Sequence, residues 1–439
     1  MSIQISILGA GMTGLAAGFD SGLPVYEAEE TPGGVCSSYY IRPGETKRLL
    51  KVPEDSEVYR FEIGGGHWIH CSDALTSLFI RSLTSVKSYV RRSSVYFRGK
   101  DLYVSYPLQN HLGSFGKDIS IRALKEMASS PGGSTKTMAD WIENNFGKTL
   151  ADLFFNPFHR LYTAELWTRI APQDAYKSPV DFSLVVDGAF EETPPIGYNA
   201  SFIYPINGLN VLIQRMAERC EIHYGKRVVH VYPQKKEIYF SNGSSLRYET
   251  LFSTLPLNMM MKITGLEVED EVDPYTSVLV LNIGAIRGPK CPDDHWLYIP
   301  DSLSGFYRLG FYSNVDTSFL PVSYRRSRKH VSIYVERAYP GGEKPSEEGI
   351  RVYCQKVLQE LREWEFIDEV EVIDPTWVDV AYTWSLPESK WKQKALTILE
   401  KHNIHQIGRY GRWGSNKGIV DSIKDGFIAS AALKAIKKK

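Results

Sequence analysis

Residues 5–30 read ISILGAGMTGLAAGFDSGLPVYEAEE, and the fold class follows from the order of residue types in that stretch. An apolar run from Ile5 stops at Gly9, Gly11 and Gly14 follow at GxGxxG spacing, and a helix of small residues begins. A second apolar stretch, Leu23 to Tyr26, ends in Glu27. Each piece has a physical task in binding a dinucleotide. Gly9 permits a tight turn, Gly11 bares backbone to a pyrophosphate, and Gly14 lets helix and strand pack closely. The helix N-terminus offers unpaired N–H groups and positive dipole to phosphate. Glu27, at the strand tip, can accept both ribose hydroxyls. Strand, turn, helix, strand and acid in this order are specific where the glycines alone are not.

The surroundings indicate which dinucleotide. Gly33 and Gly34 follow the acidic strand end directly, where a nicotinamide enzyme would run into another βα unit. They suggest backbone passing close to a longer, extended cofactor. Phe61-Glu62-Ile63-Gly64-Gly65-Gly66-His67 repeats the theme, with three glycines where side chains would meet something flat. A third patch, Ile407-Gly408-Arg409-Tyr410-Gly411-Arg412-Trp413-Gly414, lies near the far end. Beyond it, Gly418 to Ala435 reads as a helix, with Ile419, Ile423, Phe427 and Ala431 on one face. Its N-terminus can aim dipole at the polar edge of an isoalloxazine ring. Contacts at both ends of the chain fit FAD better than NAD. The expected cofactor residues are Gly9, Gly11, Gly14, Glu27, Gly33, Gly34, Gly65, Gly66, Val228, Gly411, Arg412, Trp413 and Gly418.

The 439 residues imply more than one core, and a formal net charge of zero gives no electrostatic case for nucleic acid or an anionic membrane. Five cysteines (Cys36, Cys71, Cys220, Cys291, Cys354) are scattered, which argues against a disulfide framework or a metal site. Cys36, near the second glycine pair, reads as a buried free thiol, a covalent flavin link being the alternative. No signal peptide or apolar span of about 20 residues is seen, so no membrane insertion and a cytoplasmic location are expected.

The expected fold is α/β: an FAD-binding Rossmann-like domain interleaved with a mixed helical and antiparallel-sheet substrate domain. Residues 1–73, 201–265 and 391–439 are assigned to the FAD domain. Residues 74–200 read as a mainly helical cap, with Thr137 capping a helix, and 266–390 as an antiparallel sheet. Short strands follow Cys220, with Asn242-Gly243 as a hairpin turn and Arg227-Val228-Val229 beside the adenine. Such crossings place a cleft at the seam between the domains.

The motifs resemble those of the UDP-galactopyranose mutases, especially the eukaryotic-type branch, within the flavin-containing amine oxidase and protoporphyrinogen oxidase superfamily. Gly65-Gly66-His67 resembles the mutases' loop beside the flavin, and Tyr106-Pro107-Leu108-Gln109-Asn110 their YPFQN segment. Asn199-Ala200-Ser201-Phe202 with Tyr204-Pro205 and Gly208 resembles NATF…P…GG. Trp296-Leu297-Tyr298-Ile299-Pro300, Phe306-Tyr307-Arg308 and Ser313-Asn314 keep the spacing of WLYFP…FYR…SN. The resemblance implies a nucleotide-sugar pyranose/furanose mutase that uses reduced FAD as nucleophile with no net redox, NAD(P)H being a candidate reductant. It implies a small-molecule partner, a nucleoside-diphosphate sugar, and leaves the oligomeric state open. It carries over Asn199, Tyr298, Arg308 and Tyr382 as substrate contacts that hold the diphosphate, and His67 and Arg308 as candidate catalytic residues.

Three positions depart from the family pattern. Its second diphosphate arginine falls near Lys177, which can substitute as a point charge, or Ser178. Its uracil-pocket tryptophan falls near Thr163, and its C-terminal tyrosine is missing around Gly414-Ser415-Asn416. Read singly, Tyr298 and Tyr382 fit a core or rim and Arg308 a surface ion pair; their joint spacing favours a site. His70 reads as structural. No GxSxG, HExxH or paired carboxylates are recognisable, which favours cofactor-borne chemistry. The alternative is an FAD-dependent amine or alcohol oxidoreductase, with Tyr410 and Trp413 as available cage aromatics. A flavin-retaining scaffold without activity is a third reading.

Overall fold

The computed structural model describes residues 4–70, 73–129, 135–173, 177–178, 180–197, 199–414 and 418–437; Cys71, Ser415 and Asn416 lie outside them. Ile5–Leu8 is the middle strand of a five-stranded sheet ordered Ile404–Gln406, Thr250–Ser253, Ile5–Leu8, Val25–Tyr26, Ile222–His223, with every pair parallel. A parallel strand covered on both faces tolerates no alternation, and all four residues of Ile5–Leu8 are buried. Helix Met12–Ser21 ends at Gly22, whose φ of 65° lets its N–H return to the Gly18 carbonyl. The C-terminal helix Ile419–Lys437 lies against it so closely that a Cβ on Gly426 would stand 2.4 Å from the Thr13 carbonyl oxygen. The last helix therefore packs on the first, beside the Gly9–Gly14 turn.

A three-stranded antiparallel sheet, Val228–Tyr232, Glu237–Phe240 and Ser245–Arg247, flanks this domain. Asn242-Gly243 makes its second turn, with Gly243 at φ 81°. The large sheet has seven strands, ordered Ile367–Thr383, Tyr275–Arg287, His330–Pro340, Arg308–Phe311, Trp296–Tyr298, Ser93–Phe97, Leu102–Ser105. Helix Glu347–Glu363 covers one face, where Leu279, Leu281, Ile283, Leu297, Leu309, Ile333 and Val335 form a core with Val357 and Leu361. The other face, with Val278, Val280 and Tyr334, packs into the core that also holds Ile7, Leu15 and Ile423.

The segment 74–200 is less helical than its sequence suggested. Val86–Val90 pairs antiparallel with Ser201–Pro205, and the hairpin Ser93–Phe97/Leu102–Ser105 extends the large sheet. The β-favouring Val95, Tyr96, Phe97, Tyr103 and Val104 carry this hairpin. The expected cap at Thr137 is present: its hydroxyl accepts the Asp140 N–H at 3.2 Å, and Asp140 reciprocates at 2.9 Å. No helix among the described residues is long and apolar enough to cross a membrane. Nor does any group of three or more His, Cys, Asp or Glu among them suit a metal ion.

Candidate functional site

One cavity of about 690 Å³ runs from the glycine turn after Ile5–Leu8 to the inner face of the large sheet. Gly9, Gly11, Glu27, Gly33, Gly34, Val228 and Gly418 all line it. Gly11 borders open space: a Cβ there would have no neighbour within 4 Å. A Cβ on Gly14 would instead stand 1.8 Å from the Gly9 carbonyl oxygen, so this glycine serves helix–strand packing. Glu27 is oriented by the Ala10 N–H at 2.6 Å and the Glu29 N–H at 2.9 Å. Residues 418–422, the start of the last helix, line the same wall. Cys36 is a free buried thiol on the cavity, its pKa pushed up by burial.

The glycine run 64–66 is explained by protein neighbours. A Cβ on Gly64 would meet His67 Cε1 at 2.4 Å, one on Gly65 would meet Glu336 Oε1 at 2.8 Å, and one on Gly66 would meet the Tyr334 hydroxyl at 2.4 Å. Gly64, Gly66 and His67 line the cavity; Gly65 packs behind it. His67 Nδ1 lies 3.1 Å from the Gly65 carbonyl, an acceptor that requires the proton on Nδ1, and burial lowers the imidazole pKa. The Glu62 carboxylate accepts the His67 backbone N–H at 3.2 Å and the Tyr204 hydroxyl. Burial pushes its pKa up to about 7.

Period-two alternation in the large sheet builds the far end of the cavity. Residues whose neighbours point into the helix-covered core point here: Val278 and Val280, Trp296 and Tyr298, Arg308, Tyr334 and Glu336, and Val378; at the end of the outer strand Ala381 and Tyr382 both line the cavity. Arg308 and Glu336 are directly opposed across adjacent strands, with Nη2 2.5 Å from Oε1. Glu336 is 2% exposed, and its second oxygen accepts the Tyr307 hydroxyl at 2.7 Å. Burial is the largest single influence and works against the Arg308 charge, but Glu336 and the neighbouring Tyr382, Tyr334 and Tyr307 together overcome it and hold the pKa well above the usual value. The Nε of Arg308 is buried and has no hydrogen-bond partner among the described residues.

Other elements close this end. Lys177 Nζ donates to the Tyr162 hydroxyl at 2.7 Å and lies 5.3 Å from the Tyr382 ring centroid. Asn199 is 4% exposed, and its Oδ1 accepts from Arg91, itself tied to the Tyr106 and Ile196 carbonyls. Tyr298 packs on Tyr106 at 4.6 Å and on Phe158 at 5.6 Å. The structure thus brings Lys177, Asn199, Tyr298, Arg308 and Tyr382 onto one cavity.

Several sequence readings are corrected. Gly411, Arg412 and Trp413 lie off the cavity: a Cβ on Gly411 would meet the Ser253 carbonyl, Arg412 is exposed, and Trp413 is core, packed on Trp391. Their neighbours Gly408, Arg409 and Tyr410 line it instead, because the short helix Gly408–Gly411 turns the chain. Arg227 pairs with Glu29, leaving Val228 at the wall. Thr163 is buried off the cavity, its hydroxyl committed to the His159 carbonyl and the Trp167 N–H. His70 does line the cavity, and burial lowers its pKa to about 4. Glu336, Arg409 and Arg91 escaped sequence reading; only the alternation around Glu336 carried a signal.

No family model matches the chain. Its structure is similar to that of a reduced UDP-galactopyranose mutase, with a TM-score of 0.83 at 22% identity, over 99% of this chain and 96% of the other. A putative protoporphyrinogen oxidase from Exiguobacterium sp. 255-15 gives 0.70 at 13% identity, over 99% of each chain. Putrescine oxidase bound to putrescine gives 0.59 at 15%, again over 99% of each chain. The chain has the mixed α/β fold of these amine-oxidase-type flavoproteins.

Proposed function

We propose that this protein is an FAD-dependent enzyme acting on a nucleoside-diphosphate sugar, a pyranose/furanose mutase without net redox change. The carrying observation is that a dinucleotide cradle and a cationic, tyrosine-rich end form one continuous cavity. The cradle fits FAD: bare backbone at Gly11, the Glu27 carboxylate at the strand tip, Gly33 and Gly34 along the path, and a helix N-terminus at Gly418. Val228 would flank the adenine, and the neutral His67 with Gly64, Gly66 and Tyr410 would border the ring. Bound in its reduced state, the flavin supplies the nucleophile that such chemistry needs.

The protein's own groups would bind and hold the diphosphate. Arg308 is 24% exposed at the cavity wall, and Lys177 and Arg409 add positive charge on the same cavity. Tyr298 and Tyr382 add neutral donors, and Asn199 is preoriented by Arg91. Retaining the leaving diphosphate in place keeps it available for return to the sugar.

The same lining bears on the alternative reading, net oxidation of an amine or alcohol. An ammonium substrate would enter a site where Lys177 already occupies the space beside the Tyr162 and Tyr382 rings. That charge distribution favours an anionic substrate. The test is a titration of the purified protein with UDP, dTDP, GDP and their sugars, followed by the flavin spectrum with FAD oxidised and reduced. Base-selective binding that tightens on reduction supports the mutase. No response to any nucleotide, with peroxide formed from an alcohol or amine, replaces it by the oxidase.

A further inference from the structure

Glu336 is the anionic centre of the cationic end. It is buried, faces Arg308 in register across two strands, and has both oxygens engaged, one by Arg308 at 2.5 Å and one by the Tyr307 hydroxyl at 2.7 Å. Arg308 itself is 24% exposed at the cavity wall. An arginine meant only to attract an anion would be better served by no carboxylate at all, since an opposed charge at this distance cancels most of its field. Tyr307 matters to the balance because its hydrogen bond spreads the carboxylate charge and weakens the hold of Glu336 on Arg308. The Tyr307 and Tyr382 oxygens stand 3.5 Å apart, so the arrangement continues to the residue proposed to meet the ligand.

We propose that Glu336 is a built-in counter-ion that an incoming anion must displace from Arg308, so that binding at this end is an ion exchange tuned by Tyr307. The proposal deepens the functional reading above and rests only on its anion-binding part. Exchange of this kind lowers affinity for any anion and lets a ligand with two phosphates outcompete one with a single charge.

The experiment measures binding of inorganic pyrophosphate to the full-length, flavin-loaded protein by calorimetry, for wild type, Glu336→Gln and Tyr307→Phe, with flavin content determined for each. Glu336→Gln is expected to bind pyrophosphate at least about tenfold tighter, because the cation loses its competitor. Tyr307→Phe is expected to bind several-fold weaker, because the carboxylate commits more fully to Arg308. Unchanged or weaker binding in Glu336→Gln, or unchanged or tighter binding in Tyr307→Phe, overturns the exchange. Should Glu336→Gln fail to fold, the Tyr307→Phe result alone decides. Pyrophosphate exchange without any nucleotide response would leave this inference standing while the mutase reading fell.

Discussion

The Glu62 carboxylate holds the backbone N–H of His67 at 3.2 Å, so the glycine loop is anchored from beneath by a buried acid. Every other residue between them except Ile63 is glycine, and glycine supplies no side chain to hold the loop.

That anchor predicts a pH dependence. Burial raises the Glu62 pKa from 4.5 to about 7, so the folded state binds the proton more tightly than the unfolded chain. The contribution is fully present below pH 4.5 and is lost as pH rises through 7, amounting to up to about 3 kcal/mol. Thermal melts at pH 5 and pH 8 should show wild type losing stability relative to Glu62→Gln as pH rises; parallel profiles would exclude this.

The two inner glycines of the turn should separate folding from binding. Gly14→Ala sets a methyl 1.8 Å from the Gly9 carbonyl oxygen and should cost about 3 kcal/mol of stability. Gly11→Ala meets nothing within 4 Å and should fold normally, yet purify with little flavin, because its methyl would fill the place proposed for the pyrophosphate. Melting temperature and flavin-to-protein ratio, measured together, check both.

Lys177→Met should weaken UDP binding by about tenfold, the worth of one charge-assisted contact, and Lys177→Arg should restore most of it. Flavin content should not change in either. Equal affinity in all three proteins would remove Lys177 from the anion site.

Trp413→Phe should cost about 1–2 kcal/mol, since the indole N–H donates to the Trp384 carbonyl at 3.0 Å inside the core. The flavin-to-protein ratio should match wild type, because the side chain packs on Trp391, off the cavity. A loss of flavin at unchanged stability would return Trp413 to the cofactor wall.

The opening stretch was legible because its constraints are local. Gly9, Gly11, Gly14 and Glu27 sit within one strand–helix–strand unit, where spacing alone sets which backbone comes close to what. The same locality made the Thr137 cap and the Asn242-Gly243 turn readable. Trp413 and Arg412 were misread because a four-residue helix after Ile407 rotates the patch, and such a short element leaves no periodic trace.

The parallel strand–helix–strand unit and the residue types at the far end of the cavity were readable along the chain, since both rest on short-range spacing and strand alternation. Which of those residues meet depends on how distant strands pair. Arg308 and Glu336 are opposed because three strands fold back in register. Arg91 reaches Asn199, 108 positions away, through a strand pairing that no local rule specifies. Contacts between residues so far apart form only where strand pairing offsets the entropy of closing the loop, so the charge balance of the site became visible only in the fold.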